Sequence, residues 1–246
     1  MNRFQHFFNN HKGLTSWKVS EYLEIYHDHF KRFYDSDVCV MELGIWHGGS
    51  LEMWKSCFGP RSKIYGIDSD QHCKAAEQDQ IDVFIGDITD KDFRDSITNK
   101  VPEIDIFIDD GGHNVFQQVG TLQWILPRLS QTGVYLCEDI SYHGNGYFKP
   151  AIETYLQPGT MLETAKEFID YIQGHPNNTH GDLYSLSVYK RVIVIEKGRD
   201  IKQDVGFKIP GMGGCFTGKE YLPNLETMEE FAEKKKEKFP PGYFVE

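Results

Sequence analysis

The strongest constraint on the fold of this chain is a series of short apolar runs separated by stretches of helical character. The runs are Val38–Leu43 (VCVMEL), Lys63–Asp68 (KIYGID), Asp82–Gly86 (DVFIG), Ile104–Asp109 (IDIFID) and Val134–Glu138 (VYLCE). Rich in β-branched and aromatic residues, they read as buried strands. Strands alternating with helices build right-handed βαβ units. The pattern therefore predicts an α/β fold, a mostly parallel sheet with helices on both faces. From Leu183 the pattern changes. LYSLSVY and VIVIEK have only Lys190 and Arg191 between them, a hairpin that ends the sheet with an antiparallel strand. Before the first strand, Trp17, Tyr22, Leu23, Ile25, Tyr26, Phe30 and Phe33 recur at helical spacing, which predicts an amphipathic helix over 15–34. Phe116–Leu129 reads as a helix with Pro127 and Gly133 near its end.

Length and charge narrow the function. The 246 residues fit one domain, with a helical lead-in over 1–36, a core over 37–197 and a C-terminal extension over 198–246. The formal charge of −11 argues against nucleic acid or an anionic membrane as the main partner, because both are bound through basic surfaces. The five cysteines form no CxxC pair, and Cys39 and Cys137 sit inside apolar runs, so buried thiols and a reducing cytoplasm are expected. The N-terminus has no signal-peptide core, and no run approaches the roughly 18 apolar residues of a membrane span. In the extension, a charged run over 226–239 admits two readings, a solvated face or a contact in a homo-oligomer.

The chemistry is concentrated where the strands end, which in an open parallel sheet is where ligands bind. ELGIWHGGSLEMW (Glu42–Trp54) joins the first strand to a helix through a glycine turn, with Gly44, Gly48 and Ser50 placed for close approach of a nucleotide ligand. Its spacing is not G-x-G-x-x-G, which disfavours an NAD-dependent oxidoreductase. Glu42 suits a ligand with a cationic centre. Asp68 closes the second strand, where an acid accepts hydrogen bonds from ribose hydroxyls. Asp87 closes the third, where its carboxylate and the Ile88 amide match an adenine edge. Asp109–Asp110 and Glu138–Asp139 end two further strands. If those strands are neighbours their ends lie about 5 Å apart, and converging carboxylates call for a cation, for which oxygen ligands favour Mg²⁺. Asp110 is the better ligand of its pair, leaving Asp109 to the cofactor side or to structure. His113, across Gly111–Gly112, is a candidate general base. Tyr142, His143 and Tyr147 follow the second acid pair as candidate acceptor contacts, in a Gly-, Tyr-, Asn- and His-rich lid over 141–182.

Together, ELGIWHGGSLEMW, YGIDSD, FIGD, IDDGGH and CED resemble the catalytic domain of the metal-dependent sugar O-methyltransferases of macrolide biosynthesis, from about Trp17 to Lys197. That resemblance implies a Rossmann-like class I methyltransferase with a seven-stranded sheet. It implies S-adenosylmethionine as cofactor, a divalent metal held by Asp110, Glu138 and Asp139, and His113 as the base. Glu42, Gly44, Asp68 and Asp87 match the methionine, ribose and adenine contacts. The acceptor implied is a sugar hydroxyl, nucleotide-linked or glycosidic, in a surface-polysaccharide or natural-product pathway. Gly112 stands where the family has a serine, and the family's N-terminal helper domain has no counterpart in the chain. A non-catalytic nucleotide-binding protein is the other alternative; it predicts no metal affinity.

Overall fold

The computed structural model describes residues 1–113, 115–140, 160–173 and 183–198. Tyr142, His143, Tyr147, most of the expected lid and the extension beyond Gly198 lie outside the described residues. The strands are β1 (Cys39–Leu43), β2 (Lys63–Asp68), β3 (Ile81–Ile85), β4 (Ile104–Asp109), β5 (Leu129–Cys137), β6 (Leu183–Tyr189) and β7 (Val192–Lys197). They pair in the order β3-β2-β1-β4-β5-β7-β6, with β1 to β5 parallel. β7 is antiparallel to both of its neighbours, as the hairpin spacing predicts.

Strand residues alternate between two cores, which is what a sheet buried on both faces requires. Val40, Ile106, Ile108, Val134 and Leu136 pack with α1 (Arg3–Asn10), α2 (Tyr22–Phe30) and α3 (Gly49–Phe58). Met41, Leu43, Phe107, Tyr135 and Cys137 pack on the other face with α4 (Lys91–Thr98), α5 (Val115–Ile125) and α6 (Met161–Ile172). Helix α1 is closed by a capping box between Asn2 and Gln5, and its Phe4 is buried edge-on against Tyr26, Phe30, Trp54 and Phe58. Cys39, Cys57, Cys73 and Cys137 are free and buried, as expected. Among the described residues no helix is long and apolar enough to cross a membrane.

Two expectations shift. The helix anticipated over 15–34 begins only at Tyr22, because the preceding residues are held as a strap. Leu14 N donates to Glu52 (2.8 Å), Gly49 N donates to Thr15 O (3.3 Å), and Lys18 is drawn into the interior. These tertiary contacts outweigh a weak helical preference. The strand expected at Val134 starts at Leu129, since α5 stops at Ile125 and a 3₁₀ turn containing Pro127 leads directly into β5.

Candidate active site

The register of the sheet places the acidic strand ends side by side. Leu43 pairs with Asp109, and Asp109 with Cys137. Asp110 N donates to Leu43 O and Glu138 N to Asp109 O, both at 2.9 Å, so the ends of β1, β4 and β5 are laced together. Strand alternation then sorts the acids by face. Glu42 follows the parity of Val40, Asp110 that of Ile108, and Glu138 that of Leu136, so all three turn toward α2 and α3.

Lys18 lies at their centre. Its buried ammonium donates to Asp110 Oδ2 (2.5 Å), Glu42 Oε1 (3.1 Å) and both Glu138 oxygens (3.2 and 3.3 Å). Burial works against the ammonium, but Asp110 and Glu138 outweigh it and hold its proton far more tightly than on an ordinary lysine. Burial and the neighbouring Asp110 push Glu138 up to about 8, against the opposing pull of Lys18 and Tyr26. Tyr26 donates to Glu138 Oε1 at 2.6 Å. Glu42, expected to meet a ligand's cationic centre, meets this internal one instead. Its second oxygen accepts from Ser50 Oγ (2.6 Å) and Trp54 Nε1 (3.0 Å), and its side chain is fully buried, so neither Glu42 nor Ser50 borders the cavity.

On the open side, Asp110, His113 and Asp139 converge, each offering a ligand atom within 4.8 Å of the others. His113 Nε2 is 3.9 Å from Asp110 Oδ1 and 3.7 Å from Asp139 Oδ2. Donors sharing an octahedral ion at about 2.1 Å stand roughly 3–4 Å apart, so the two carboxylate oxygens can hold a small divalent cation with the His113 imidazole beside it. Tyr22 donates to the other Asp139 oxygen at 2.6 Å and fixes its orientation. His113 (φ 52°) and Asp139 (φ 53°) both adopt left-handed backbone, as does the bulky Trp46 (φ 47°) nearby. Strain of this kind gathers where side chains must be aimed.

Glu138 was expected as a third carboxylate ligand, but it is not in this group. Both of its oxygens lie on Lys18, behind Asp110. Asp109 also differs from expectation. It faces the opposite core, accepts from Tyr135 Oη (2.7 Å), and does not border the cavity; burial pushes its carboxyl up to about 7.

Asp110, His113 and Asp139 open onto a cavity of about 1030 Å³ that reaches Gly44, Asp68, Asp87 and Ile88. Four of the expected cofactor contacts are thus brought to one space. Gly44 (φ 84°) is there for a nearer reason than ligand approach: a Cβ would lie 2.0 Å from Asp110 O. Asp68 Oδ2 accepts from the Ile45 (3.0 Å) and Trp46 (3.2 Å) amides, organising the β1 turn while facing the cavity. Asp87 accepts from the Thr89 amide and hydroxyl, both at 2.8 Å, which hold it below the usual carboxylate range. Gly48 (φ 83°) does not border the cavity; it caps α3 against Ala76. Lys18, Tyr22 and Tyr26 were not anticipated from sequence as partners of the acids, nor was Thr121, whose buried hydroxyl borders the cavity with no hydrogen-bond partner among the described residues.

Comparison with known proteins supplies the context for this geometry. No family model matches the chain. The mycinamicin VI 2''-O-methyltransferase of Micromonospora griseorubida is 31% identical over 220 residues, covering 83% of this chain and 54% of the relative. The demethylmacrocin O-methyltransferase of Streptomyces fradiae is 31% identical over 194 residues, 70% of this chain and 47% of the relative. The chain is a homologue of the sugar O-methyltransferases. Its fold is that of the class I methyltransferases. The MycE methyltransferase of the mycinamycin pathway, solved with Mg, SAH and mycinamycin VI, superposes with a TM-score of 0.67 at 27% identity, over 95% of this chain and 58% of that one. The chain spans about half the length of the curated relatives it matches.

Proposed function

We propose that the protein transfers a methyl group from S-adenosylmethionine to a sugar hydroxyl of a glycosylated natural product, with a divalent cation at the site. The observation that carries this reading is the convergence of Asp110, His113 and Asp139 on a cavity that also reaches Gly44, Asp68 and Asp87. A mycinamycin-pathway relative solved with Mg and SAH supports it.

When bound, S-adenosylmethionine supplies an electrophilic methyl group and the cation supplies Lewis-acid stabilisation of negative charge developing on the acceptor. Asp110 and Asp139 would hold the cation through the oxygens that face His113, while Lys18 and Tyr22 keep the opposite oxygens fixed. His113 Nε2 takes the proton of the acceptor hydroxyl as that oxygen becomes the nucleophile. Asp68 and Asp87 would hold the nucleoside end of the cofactor, and the aligned geometry would contribute much of the rate gain. The free buried thiols suit a reducing, cytoplasmic setting.

The test is calorimetric titration with S-adenosylhomocysteine and with NAD. Binding of S-adenosylhomocysteine alone supports the proposal, and preference for NAD overturns it in favour of an oxidoreductase.

A further inference from the structure

We propose that α5 forms one wall of the base subsite in the cofactor cavity, with Gly120 leaving room for the adenine ring and the Thr121 hydroxyl as its hydrogen-bond partner. This rests on the S-adenosylmethionine reading given above and deepens it at the nucleoside end. Two adjacent residues carry it, and the fold by itself asks for neither. Gly120 lies in the interior of α5 and borders the cavity. Glycine is a poor helix former, so its presence there needs a reason. Backbone conformation supplies none, because its φ is not positive. Packing supplies none either. A Cβ on Gly44, Gly86, Gly111 or Gly112, the other glycines of the cavity wall, would come within 3.0 Å of a neighbour, whereas one on Gly120 would meet nothing within 4 Å.

Thr121 borders the same cavity and is 2% exposed, yet its hydroxyl has no hydrogen-bond partner among the described residues. It does not even bond the carbonyl one turn back, as helical threonines can. A buried hydroxyl left unpaired is destabilising, and a valine of the same shape would avoid that cost. Open space and an unused polar group thus fall side by side on one helix. The same cavity takes in Asp87, Ile88 and Thr89 after β3, and Arg94 of α4, whose Nη1 donates to Ile88 O at 3.4 Å. Ile88 shares one core with Ile97 of α4 and with Leu122 and Ile125 of α5, so the β3 end and α5 bound the same side of the sheet. A hydroxyl both donates and accepts, which suits adenine, where ring-nitrogen acceptors stand beside an exocyclic amino donor.

Calorimetric titration with S-adenosylhomocysteine and with methylthioadenosine, which keeps the nucleoside and lacks the amino-acid end, tests this in wild type, Gly120→Leu and Thr121→Val. Melting of the ligand-free proteins is followed alongside. Leucine favours the helix and fills the open space; valine removes the orphaned hydroxyl. Both variants are expected to melt no lower than wild type without ligand. Both ligands should nevertheless bind more weakly, roughly tenfold or more for Gly120→Leu and about three- to tenfold for Thr121→Val, with Mn²⁺ affinity unchanged. Thr121→Ser, which keeps a hydroxyl, is expected to retain most of the wild-type affinity. A residue that served only the fold would lower melting temperature and affinity together, and that result overturns the proposal. Folded variants that bind both ligands as wild type does also overturn it, as does a parallel loss of Mn²⁺ affinity. If Gly120→Leu does not fold, Thr121→Val decides, because it keeps the side-chain shape. Absence of S-adenosylhomocysteine binding by wild type refutes the cofactor reading itself, and this role with it.

Discussion

Gly44→Ala is the sharpest probe of how the strand ends are assembled. The residue has φ +84°, and an added Cβ would stand 2.0 Å from the Asp110 carbonyl oxygen, 2.6 Å from its carbon and 2.8 Å from Gly111 Cα. Left-handed backbone costs an L-residue about 1–2 kcal/mol. Forcing two backbone segments apart adds about 1–3 kcal/mol, because nothing flexible can yield. The expected loss is thus about 2–5 kcal/mol, a large share of a typical domain's stability. The separation required is on the order of 1 Å and falls on the residue that carries Asp110, a displacement large enough to cost roughly a hundredfold in catalysis. Urea unfolding gives the first number, the rate of methyl transfer gives the second, and Mn²⁺ affinity reports the displacement of Asp110. Gly120→Ala is the matched control. A Cβ there meets nothing within 4 Å, and the residue lies inside α5, so it should stabilise by about 0.5–1 kcal/mol. A Gly44→Ala protein within about 0.5 kcal/mol of wild type, with unchanged Mn²⁺ affinity, would mean that the two strand ends are not locked together at Gly44, since such a change is what an ordinary surface substitution produces.

Other expectations follow from the same geometry. Asp68→Ala removes the acceptor for the Ile45 and Trp46 amides as well as a cavity carboxylate, so S-adenosylhomocysteine affinity should fall at least about tenfold by calorimetry. Phe4→Ala empties the ring cluster that joins α1 to α2 and α3, and denaturant unfolding should register a loss of about 3–5 kcal/mol. Burial alone would raise the Glu196 carboxyl, but hydrogen bonds from His29 and Ser185 and the charge of Arg32 reverse this and hold it at about 2. A depressed folded pKa contributes stability above the ordinary value of 4.5 that is lost as pH falls toward 2. Because Arg32 is 43% exposed, about 1–2 kcal/mol is expected. The stability gap between wild type and Glu196→Gln should therefore be full at pH 7 and close over that acid range.

Much of this was legible in the sequence because strand identity and alternation are local properties. IDIFID and VYLCE announced neighbouring buried strands, and their terminal acids did converge. What alternation alone did not reveal was the partner across the interface. Lys18 lies far from Glu138 along the chain, in a segment whose aromatic spacing reads as helix, and only the packed strap turns it inward. Sequence alone named Glu42 and Glu138 as partners for cations, and in the structure both carboxylates accept from the ammonium of Lys18. The roles of His113 and Asp139 depend on left-handed backbone that residue type does not announce. Gly44 was singled out for ligand approach, and contact with the neighbouring strand end by itself demands a glycine there.

We propose metal-assisted methyl transfer to a sugar hydroxyl. Its most direct test is incubation with methyl-labelled S-adenosylmethionine and a panel of deoxysugar glycosides, with products located by mass spectrometry. Label is expected on a sugar oxygen, lost in EDTA, restored by Mg²⁺ and absent with His113→Ala. Labelled product that forms undiminished in EDTA and with His113→Ala would contradict it.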